Sequence, residues 1–379
     1  MINFDINSIN TPYFIVDEAL LIKNLEILKG VKNATGCKIL LAQKGFAMHS
    51  LYPLISQYLD GTCASGLHEA KLAHEFFNGE NHVYSPAFDY KSFPEIASIC
   101  GHITFNSFTQ YENLRHLCSG KNIGIRINPE FSTQQHEKPI YDPCAPNSRL
   151  GVTHTNFRED LIKNGDINGL HFHTLCQQNS NDLVKTFNAF EINFEKYLYD
   201  IQWINLGGGH HITRDDYDIK LLVSLINKIK TKYNLQVYLE PGEAVALNAG
   251  YLVASVLDIV DNGIKTAILD TSAATHMPDV LEMPYRPYVI NSDLPNVKQF
   301  NYRLGGVSCL AGDIIGDYSF DTLLNINDRL IFTDMAIYSM VKTTTFNGVK
   351  LADIAIARQN GSIEIIKTFG YNDFKVRLS

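Results

Sequence analysis

Lys44 lies just beyond an apolar run, 38–42, that has the length of a buried β-strand. An amine at a buried strand end is desolvated, so it releases its proton more readily than an amine in water. A neutral amine can condense with an aldehyde, which is the chemistry that aldehyde cofactors require of a lysine. Taken alone, Lys44 fits a surface lysine at a strand end better, so the rest of the chain decides the interpretation.

Lys44 follows the first of eight strand-like runs that alternate with helical patterns. The runs lie at 38–42, 61–64, 82–84, 102–105, 123–127, 169–172, 203–206 and 237–239. Because eight βα units in a row are what a closed barrel needs, the sequence predicts an α/β fold, a (β/α)8 TIM barrel with a C-terminal β domain. An open doubly wound sheet is the alternative that periodicity alone leaves open.

Each of these strands is followed by a residue that is polar, ionisable or glycine. These residues are Lys44, Ser65, Ser85, Asn106, Asn128, His173, Gly207 and Glu240. In a closed barrel the carboxyl ends of all strands meet at one rim, where the active site is built. The sequence therefore predicts that these residues face a single pocket.

Three glycines and a glutamate follow the last two strands of the predicted barrel. Gly207, Gly208 and Gly209 allow backbone N–H groups to approach an anion, and barrel phosphate sites favour this position. Glu240 could keep a pyridine nitrogen protonated, which makes the ring of pyridoxal phosphate a stronger electron sink. A tight turn and a carboxylate at a helix start are the alternatives for the two features.

Two histidines end the sixth strand, and alternation places His171 and His173 on the same side of it. One ring could stack on a planar cofactor. The pair could also bind a metal together with His210 and His211 of the next loop, or the two could be core histidines satisfied by hydrogen bonds.

The chain has 379 residues, a net charge of −8 and seven cysteines. Its length predicts two domains, a barrel over 17–250 and a β domain over 251–379 completed by 1–16. The negative charge argues against a nucleic acid or an anionic membrane as partner. Scattered cysteines without a C-x-x-C pair, a polar N-terminus without a signal-peptide pattern and the lack of a long apolar segment predict a cytoplasmic protein without a zinc site.

Two further segments carry candidate residues. The polar segment 130–147 has no helical period, which is typical of a lid or a binding loop. Cys309 ends the glycine-containing segment 305–309 of the β domain, where a thiol could protonate a carbanion. Most isolated cysteines are packing residues, so this segment alone decides nothing.

In chain order, these motifs resemble the fold-type III pyridoxal-phosphate decarboxylases, the alanine-racemase-like family that contains ornithine and diaminopimelate decarboxylases. The resemblance covers nearly the whole chain. It is carried by the strand-one lysine, F-H after strand six, L-G-G-G after strand seven, E-P-G after strand eight and G-x-S-C-x-x-G-D in the β domain.

The resemblance implies a cofactor, pyridoxal 5′-phosphate, and a role for each matching residue. Lys44 carries the cofactor, His173 stacks on its ring, Gly207, Gly208 and Gly209 hold its phosphate, Glu240 pairs with the ring nitrogen, and Tyr338 contacts it. Cys309 is the proton donor and reaches the site of the other subunit in a head-to-tail homodimer, where Asp313 accompanies it.

The chain departs from the amino-acid decarboxylases of this family at three places. Leu175-Cys176 stand where Gly-Ser is common, Glu243 stands where arginine commonly follows E-P-G, and Leu310 stands where an acid often follows the cysteine. With the segments 147–151 and 276–287, these departures resemble the subfamily that decarboxylates carboxynorspermidine and carboxyspermidine.

Such a substrate has an α-amino-acid head and a tail with two cationic amines. Glu243 and Asp279 are candidates to pair with those amines, each contact being worth roughly 1.5–3 kcal/mol, and His276 and Asp313 complete the expected substrate site. The alternatives are a decarboxylase of diaminopimelate or another basic amino acid, a racemase, a decarboxylase-like regulator without catalysis, and a metal-dependent hydrolase that uses the histidines.

Overall fold

A closed barrel of eight parallel strands forms one part of the computed structural model, which describes residues 2, 4–134 and 139–379. The first strand of the chain, β1 (Tyr13–Asp17), lies outside the barrel. The barrel strands are β2 (Lys38–Ala42), β3 (Gly61–Ala64), β4 (Glu80–Tyr84), β5 (His102–Phe105), β6 (Asn122–Arg126), β7 (Gly169–His171), β8 (Trp203–Asn205) and β9 (Gln236–Leu239). Each strand pairs with the next in parallel, and β9 pairs with β2, so the predicted barrel is confirmed.

Helices precede and connect the barrel strands. They are α1 (Glu18–Thr35), α2 (Tyr52–Ile55), α3 (Leu67–Phe76), α4 (Phe93–Ile99), α5 (Phe108–Leu114), α6 (Glu159–Lys163), α7 (Ser180–Phe194), α8 (Ile219–Tyr233) and α9 (Glu243–Ala246). By their internal contacts, residues 24–245 form one compact unit, and residues 1–23 form another with 246–379.

The helix α8 shows how the sequence sets an element's limits. It begins where Asp218 accepts a hydrogen bond from the Leu221 N–H over 2.9 Å, and it ends at Asn234, which has left-handed backbone angles. Its buried residues recur with helical spacing and form one apolar face: Leu222, Leu225, Ile226, Ile229 and Tyr233.

A tryptophan fills the inside of the barrel. Trp203 of β8 is 3 % exposed and packs with Leu40 and Tyr238. A Cβ atom added to Gly169 of β7 would lie 1.9 Å from the tryptophan ring, and one added to Gly124 of β6 would lie 2.4 Å from it. These two strands therefore carry glycine because the indole occupies the space that their side chains would need.

The second unit is a mixed β-sheet to which the N-terminal strand contributes. Its strands after the barrel are β10 (Gly250–Asp261), β11 (Lys265–Leu269), β12 (Ser292–Asp293), β13 (Phe300–Gly305), β14 (Ile314–Phe320), β15 (Arg329–Thr333), β16 (Asp353–Ala357) and β17 (Ile363–Lys367). The short helices α10 (Ala273–His276), α11 (Asp279–Glu282) and α12 (Tyr371–Lys375) belong to the same unit.

The N-terminal strand β1 completes this sheet, as the sequence predicts. It pairs with β10 in antiparallel and with β16 in parallel register, with Phe14 opposite Leu252 and Ile354. Phe14, Leu252, Tyr318 and Phe332 belong to one buried cluster on the sheet. In the described part of the chain, no helix is both long and apolar enough to cross a lipid bilayer.

Candidate active site

Lys44 lies on the turn after β2, at the carboxyl end of the barrel. Its neighbour Gln43 donates its N–H to the Cys63 carbonyl over 3.1 Å, which fixes this turn to β3. Lys44 is exposed to solvent, yet enough protein surrounds its amine for desolvation to dominate its ionisation. Burial, and then the charge of Arg126, lower the pKa of Lys44, which raises the fraction of neutral amine.

Glu240 follows β9 and is 7 % exposed. Asn205 Nδ2 donates to its Oε1 over 2.6 Å, and His171 Nε2 lies 3.4 Å from its Oε2, although not in hydrogen-bonding alignment. Burial alone would raise the pKa of Glu240, but His171 and the Cys63 thiol outweigh burial and lower the pKa to about 2. The side chain is therefore ionised at neutral pH.

Lys44 and Glu240 lie at the same end of the barrel because β2 and β9 are parallel neighbours. Ile39 is opposite Leu239, and beyond the strands the Ala42 N–H donates to the Pro241 carbonyl over 3.1 Å. The negative charge of Glu240 also acts on the Lys44 amine. A cofactor that must meet an amine and a carboxylate requires this placement.

His173 follows β7 and lies close to both of these groups. Its Nδ1 accepts a hydrogen bond from the Gly208 N–H over 2.9 Å, so the proton of the neutral ring is on Nε2. Burial, and then the charges of Lys44 and Arg126, lower the pKa of His173 well below its ordinary value. The ring is therefore neutral and fixed in orientation, as a ring that stacks on a flat cofactor should be.

The three glycines after β8 pack tightly against neighbouring backbone. Cβ atoms added to Gly207, Gly208 and Gly209 would lie 2.5 Å from the Phe172 carbonyl oxygen, 2.2 Å from that of Glu240 and 1.9 Å from that of Leu175. Gly207 and Gly209 also have φ angles of +71° and +78°, which side chains disfavour. Glycine is therefore required here for the packing of the loops, independently of any ligand.

These loops also carry backbone N–H groups that have no acceptor among the described residues. Two of them are buried, that of His210 after β8 and that of Gly242 after β9, and that of Gly209 is half-buried. A buried N–H without an acceptor is unfavourable, and an anion such as a phosphate would satisfy it. These loops therefore fit the phosphate group that the sequence predicts at the three glycines.

Glu243 adds a second carboxylate to the same rim. Gln177 Nε2 donates to its Oε1 over 2.7 Å, and His211 Nε2 lies 3.1 Å from its Oε2. A Cβ atom added to Gly45 would lie 3.1 Å from the Glu243 nitrogen, so the backbone of Glu243 lies against the residue after Lys44. Glu243, with its carboxylate, therefore borders the turn that carries Lys44.

Sequence reasoning missed two side chains that contact the predicted residues. Asn205 holds Glu240, and Arg126 donates to the His173 carbonyl over 3.2 Å and lies with its guanidinium 4.6 Å above the centre of the Tyr84 ring. Each is the last residue of a barrel strand, β8 and β6. A polar residue at the end of an otherwise apolar strand was the available signal.

Two of the predicted substrate residues have all their polar atoms engaged within the β-sheet unit. The buried His276 accepts from the Ser272 N–H at Nδ1 (3.1 Å) and lies 2.9 Å from the Lys350 carbonyl at Nε2. Asp313 is 3 % exposed and accepts from the Ala273 N–H over 2.7 Å and from Ser308 Oγ over 2.6 Å. The polar atoms of His276 and Asp313 are thus engaged by neighbouring groups, and their place in the substrate site remains a prediction.

Asp279, another predicted substrate residue, is half-buried and forms an ion pair with Lys342. Lys342 also pairs with Glu282, so the two acids share one cation. A substrate amine would have to compete with this lysine, which makes Asp279 a weaker candidate than Glu243.

Cys309 and Tyr338 belong to the β-sheet unit as well. Cys309 is an exposed free thiol, and Tyr338 is half-buried with a φ angle of +55°. The predicted lid, 130–147, includes residues 135–138, which lie outside the described residues. Within its described part, Gln134 Nε2 donates to Gln178 Oε1 over 2.6 Å. The roles of Cys309, Tyr338 and the segment 130–147 remain predictions.

A cluster that could hold a metal lies at the opposite end of the barrel strands. Among the described residues, Glu80, His82 and His102 form the one group of three or more ligand side chains within 4.8 Å of one another, so the rim histidines form none. The rings of His82 and His102 stack at 3.9 Å with only 5° between their planes, and Lys38 pairs with Glu80. Lone pairs of parallel rings do not converge on one ion, so this arrangement does not suit a metal.

The relationship to known proteins agrees with this site. A model described as pyridoxal-dependent decarboxylase, C-terminal sheet domain, matches residues 14–336. The chain belongs to the pyridoxal-dependent decarboxylase family.

Relatives within this family resemble the chain over nearly its whole length. It is 42% identical to the carboxynorspermidine/carboxyspermidine decarboxylase of Campylobacter jejuni, covering 97% of this chain and 98% of that protein. It is also 42% identical to the carboxyaminopropylagmatine decarboxylase of Synechocystis, covering 98% and 96%. A crystal structure of the Campylobacter jejuni carboxynorspermidine decarboxylase with norspermidine superposes with a TM-score of 0.91 at 41% identity, covering 97% of this chain and 100% of that one.

Proposed function

We propose that this chain is a pyridoxal-phosphate-dependent decarboxylase that converts carboxynorspermidine and carboxyspermidine to norspermidine and spermidine in polyamine biosynthesis. The observation that carries the proposal is the placement of Lys44, Glu240 and Glu243 at one end of the barrel. The names of the Campylobacter jejuni relative and of the solved structure support the same substrate class.

The residues of the rim fit pyridoxal 5′-phosphate. Lys44 would carry it, His173 would stack on its ring and Glu240 would pair with its ring nitrogen. The N–H groups of Gly209 and Gly242, which have no acceptor among the described residues, would bind its phosphate. When bound, this cofactor supplies an electron sink for the electron pair that remains when a carboxylate leaves as carbon dioxide.

The chain's own groups are prepared for this chemistry. The lowered pKa of Lys44 raises the fraction of neutral amine that can act as a nucleophile. The carboxylate of Glu240, with a pKa of about 2, stays ionised and can hold a proton on a neighbouring nitrogen. Asn205 fixes that carboxylate in place through its 2.6 Å hydrogen bond.

Cys309 is the proposed proton donor to the α-carbon of the product. Its S–H bond breaks as the new C–H bond forms, and the thiolate then takes a proton from water. The thiol is exposed in the chain, as a donor to a site shared between subunits needs to be. We therefore propose a homodimer with shared active sites, in which Tyr338 also contacts the cofactor.

Glu243 supports a substrate with a cationic tail. Its carboxylate borders the lysine turn, and a charge-assisted hydrogen bond to a substrate ammonium would contribute roughly 1.5–3 kcal/mol. An arginine at this position would repel the tail instead. Diaminopimelate carries a carboxylate beside the ammonium at its distal end, and Glu243 would repel that carboxylate, so diaminopimelate is a poorer candidate.

Carboxyaminopropylagmatine is a second candidate substrate, because the Synechocystis relative that bears its name is equally similar at 42% identity. Its tail ends in a guanidinium group rather than an ammonium group, and a carboxylate pairs with either. A regulator without catalysis is disfavoured by the presence of Lys44, Glu240 and Cys309 together. A metal-dependent hydrolase is disfavoured because the rim histidines form no ligand cluster within the described residues.

Steady-state kinetics with four substrates tests the proposal. We expect the highest kcat/KM with carboxynorspermidine or carboxyspermidine, a lower value with carboxyaminopropylagmatine and little turnover of diaminopimelate. Glu243→Gln should lower kcat/KM for the polyamines about tenfold or more by removing one ionic contact, whereas the exposed Glu112→Gln should not. Faster turnover of diaminopimelate than of both carboxylated triamines would contradict the proposal.

The compartment is also a proposal. All seven cysteines are free thiols, Cys37, Cys100 and Cys118 among them being buried. Unpaired cysteines in this number are typical of a reducing compartment, so we propose the cytoplasm.

A further inference from the structure

The segment that carries Cys309 is anchored by one hydrogen bond after another from its backbone N–H groups. The N–H of Gly306 donates to the Asp313 carbonyl over 2.8 Å, and that of Val307 donates to the Thr271 carbonyl over 3.1 Å. The N–H of Ser308 donates to Asp313 Oδ2 over 3.2 Å. Up to Ser308, the segment is therefore held by residues on two sides.

Asp313 is the buried centre of this arrangement. Its Oδ2 accepts from Ser308 Oγ over 2.6 Å while its Oδ1 accepts from the Ala273 N–H over 2.7 Å, so it ties the segment to the start of α10. A Cβ atom added to Gly306 would lie 2.2 Å from Oδ2, which explains the glycine at that position. Asp313 is thus an anchor of the segment.

Beyond Ser308 the segment loses its packing. Residues 309–312 are all exposed, so apolar burial does not fix the direction of the Cys309 side chain. The N–H of Cys309 donates to Asn347 Oδ1 over 2.8 Å. The next N–H, that of Leu310, makes only a longer contact of 3.4 Å to Ser308 Oγ. Asn347 therefore holds the backbone at Cys309, the proposed proton donor.

The turn that presents Asn347 is itself fixed. Asn347 has a φ angle of +56°, in the left-handed region that asparagine tolerates better than most residues. Before it, the Thr344 N–H donates to the Thr275 carbonyl over 3.0 Å, and Arg377 Nη1 donates to Thr345 Oγ1 over 2.5 Å. A cavity of about 710 Å³ lies beside this turn and is lined by residues that include Leu310, Phe346 and Phe374.

We propose that Asn347 is a positioning residue for the Cys309 thiol. By accepting the Cys309 N–H it restricts rotation of the backbone at that residue and so sets the direction of the Cα–Cβ bond from which the thiol projects. This inference rests on the proposed role of Cys309 as proton donor. Asn347 acts through Cys309, so its loss changes the proton-transfer step and leaves substrate binding unchanged.

The test compares three variants of the full-length enzyme with its cofactor. Asn347→Gly removes the acceptor but adopts a positive φ freely, so the turn keeps its backbone. Asn347→Asp keeps an oxygen acceptor at the same place. Asn296→Gly is the matched control, since Asn296 is an exposed residue of the same unit with a φ angle of +66°.

We expect Asn347→Gly to lower kcat roughly tenfold with KM within about twofold, because misplacing a reacting group slows the step it performs. Asn347→Asp should keep kcat within about threefold, and Asn296→Gly should match the wild type. The pH profile of Cys309 alkylation, followed by peptide mass spectrometry, should change in Asn347→Gly and stay unchanged in the control.

Two outcomes overturn the inference in distinguishable ways. If Cys309→Ser lowers kcat while Asn347→Gly has the kcat and the alkylation profile of the wild type, Asn347 does not position the thiol and the proposed function stands. If Cys309→Ser keeps the full kcat, Cys309 is not the proton donor, and both that role and the inference about Asn347 are wrong.

Discussion

Replacing Gly208 by alanine should disturb the site at Glu240 in a way that the structure quantifies. The added Cβ atom would lie 2.2 Å from the Glu240 carbonyl oxygen. An ordinary carbon–oxygen contact is about 3.3 Å or longer, so one of the two backbones has to move by about 1 Å. No positive φ angle contributes at this position, so the effect isolates the steric contact.

A displacement of this size is comparable with the tolerance of the hydrogen bonds nearby. Asn205 and Glu240 are joined over 2.6 Å, and the Gly208 N–H reaches His173 Nδ1 over 2.9 Å. Overpacking costs about 1–3 kcal/mol, and loss of a hydrogen bond to a charged group costs about 1.5–3 kcal/mol more. The sum, about 2.5–6 kcal/mol, is divided between fold stability and the geometry of the site.

Cofactor titration followed by absorbance measures the part that falls on the site. If half of the cost falls there, the Kd for pyridoxal phosphate rises about tenfold or more, since each 1.4 kcal/mol is a factor of ten. The control is Gly101→Ala in the same unit, where an added Cβ atom would meet nothing within 4 Å. Equal cofactor affinity and equal unfolding midpoints for the two variants would refute this steric reasoning.

Two other predictions follow from the ionisable groups of the barrel. Glu240→Gln keeps the shape of the side chain and removes its charge, so kcat should fall by about 10- to 100-fold in steady-state assays while far-UV circular dichroism stays unchanged; a full kcat would contradict the role of the carboxylate. Burial, and then the neighbouring His82, lower the pKa of His102 to about 3 from its ordinary 6.5, so the folded chain keeps this ring neutral where the unfolded chain binds a proton. The free energy of unfolding therefore falls as pH falls below 6.5. His102→Phe should make this fall less steep between about pH 6.5 and 5 in urea titrations, and an unchanged slope would contradict this reasoning.

The barrel could be predicted from the sequence because its strands are short apolar runs between helical patterns. The run 38–42, the run 61–64 and the run 102–105 match β2, β3 and β5, and the predicted helix 219–233 matches α8. Parallel strands buried on both faces have few polar interruptions, which makes their limits readable.

The β-sheet unit was harder to predict. The pattern indicated β10, β11, β13 and β15, but it did not reveal β12, β14, β16 and β17. Within β14, Gly316 and Asp317 interrupt the apolar run, and β16 contains two alanines, which have a weak preference for strands. Pairing with β1 and β13 stabilises these strands, and such long-range pairing is not visible in a local pattern.

In the candidate site, too, some residues could be predicted from the sequence and others could not. Lys44, His173, Glu240 and the glycines could be predicted because each follows a strand, and strand ends meet at one rim. His276 and Asp313 could not be judged, because their roles depend on hydrogen bonds to distant backbone groups, the Lys350 carbonyl and the Ala273 N–H. Residue type indicates what a side chain can do, whereas its partners decide whether it is free to act.

Borohydride reduction of the purified holoenzyme, followed by peptide mapping, tests the central claim most directly. Reduction fixes the cofactor on the amine that carries it, so the labelled peptide identifies the lysine. We predict a single labelled peptide containing Lys44, with no label and no decarboxylation in Lys44→Ala. A label on a different lysine, or full activity of Lys44→Ala, would contradict the account of this barrel as a pyridoxal-phosphate site.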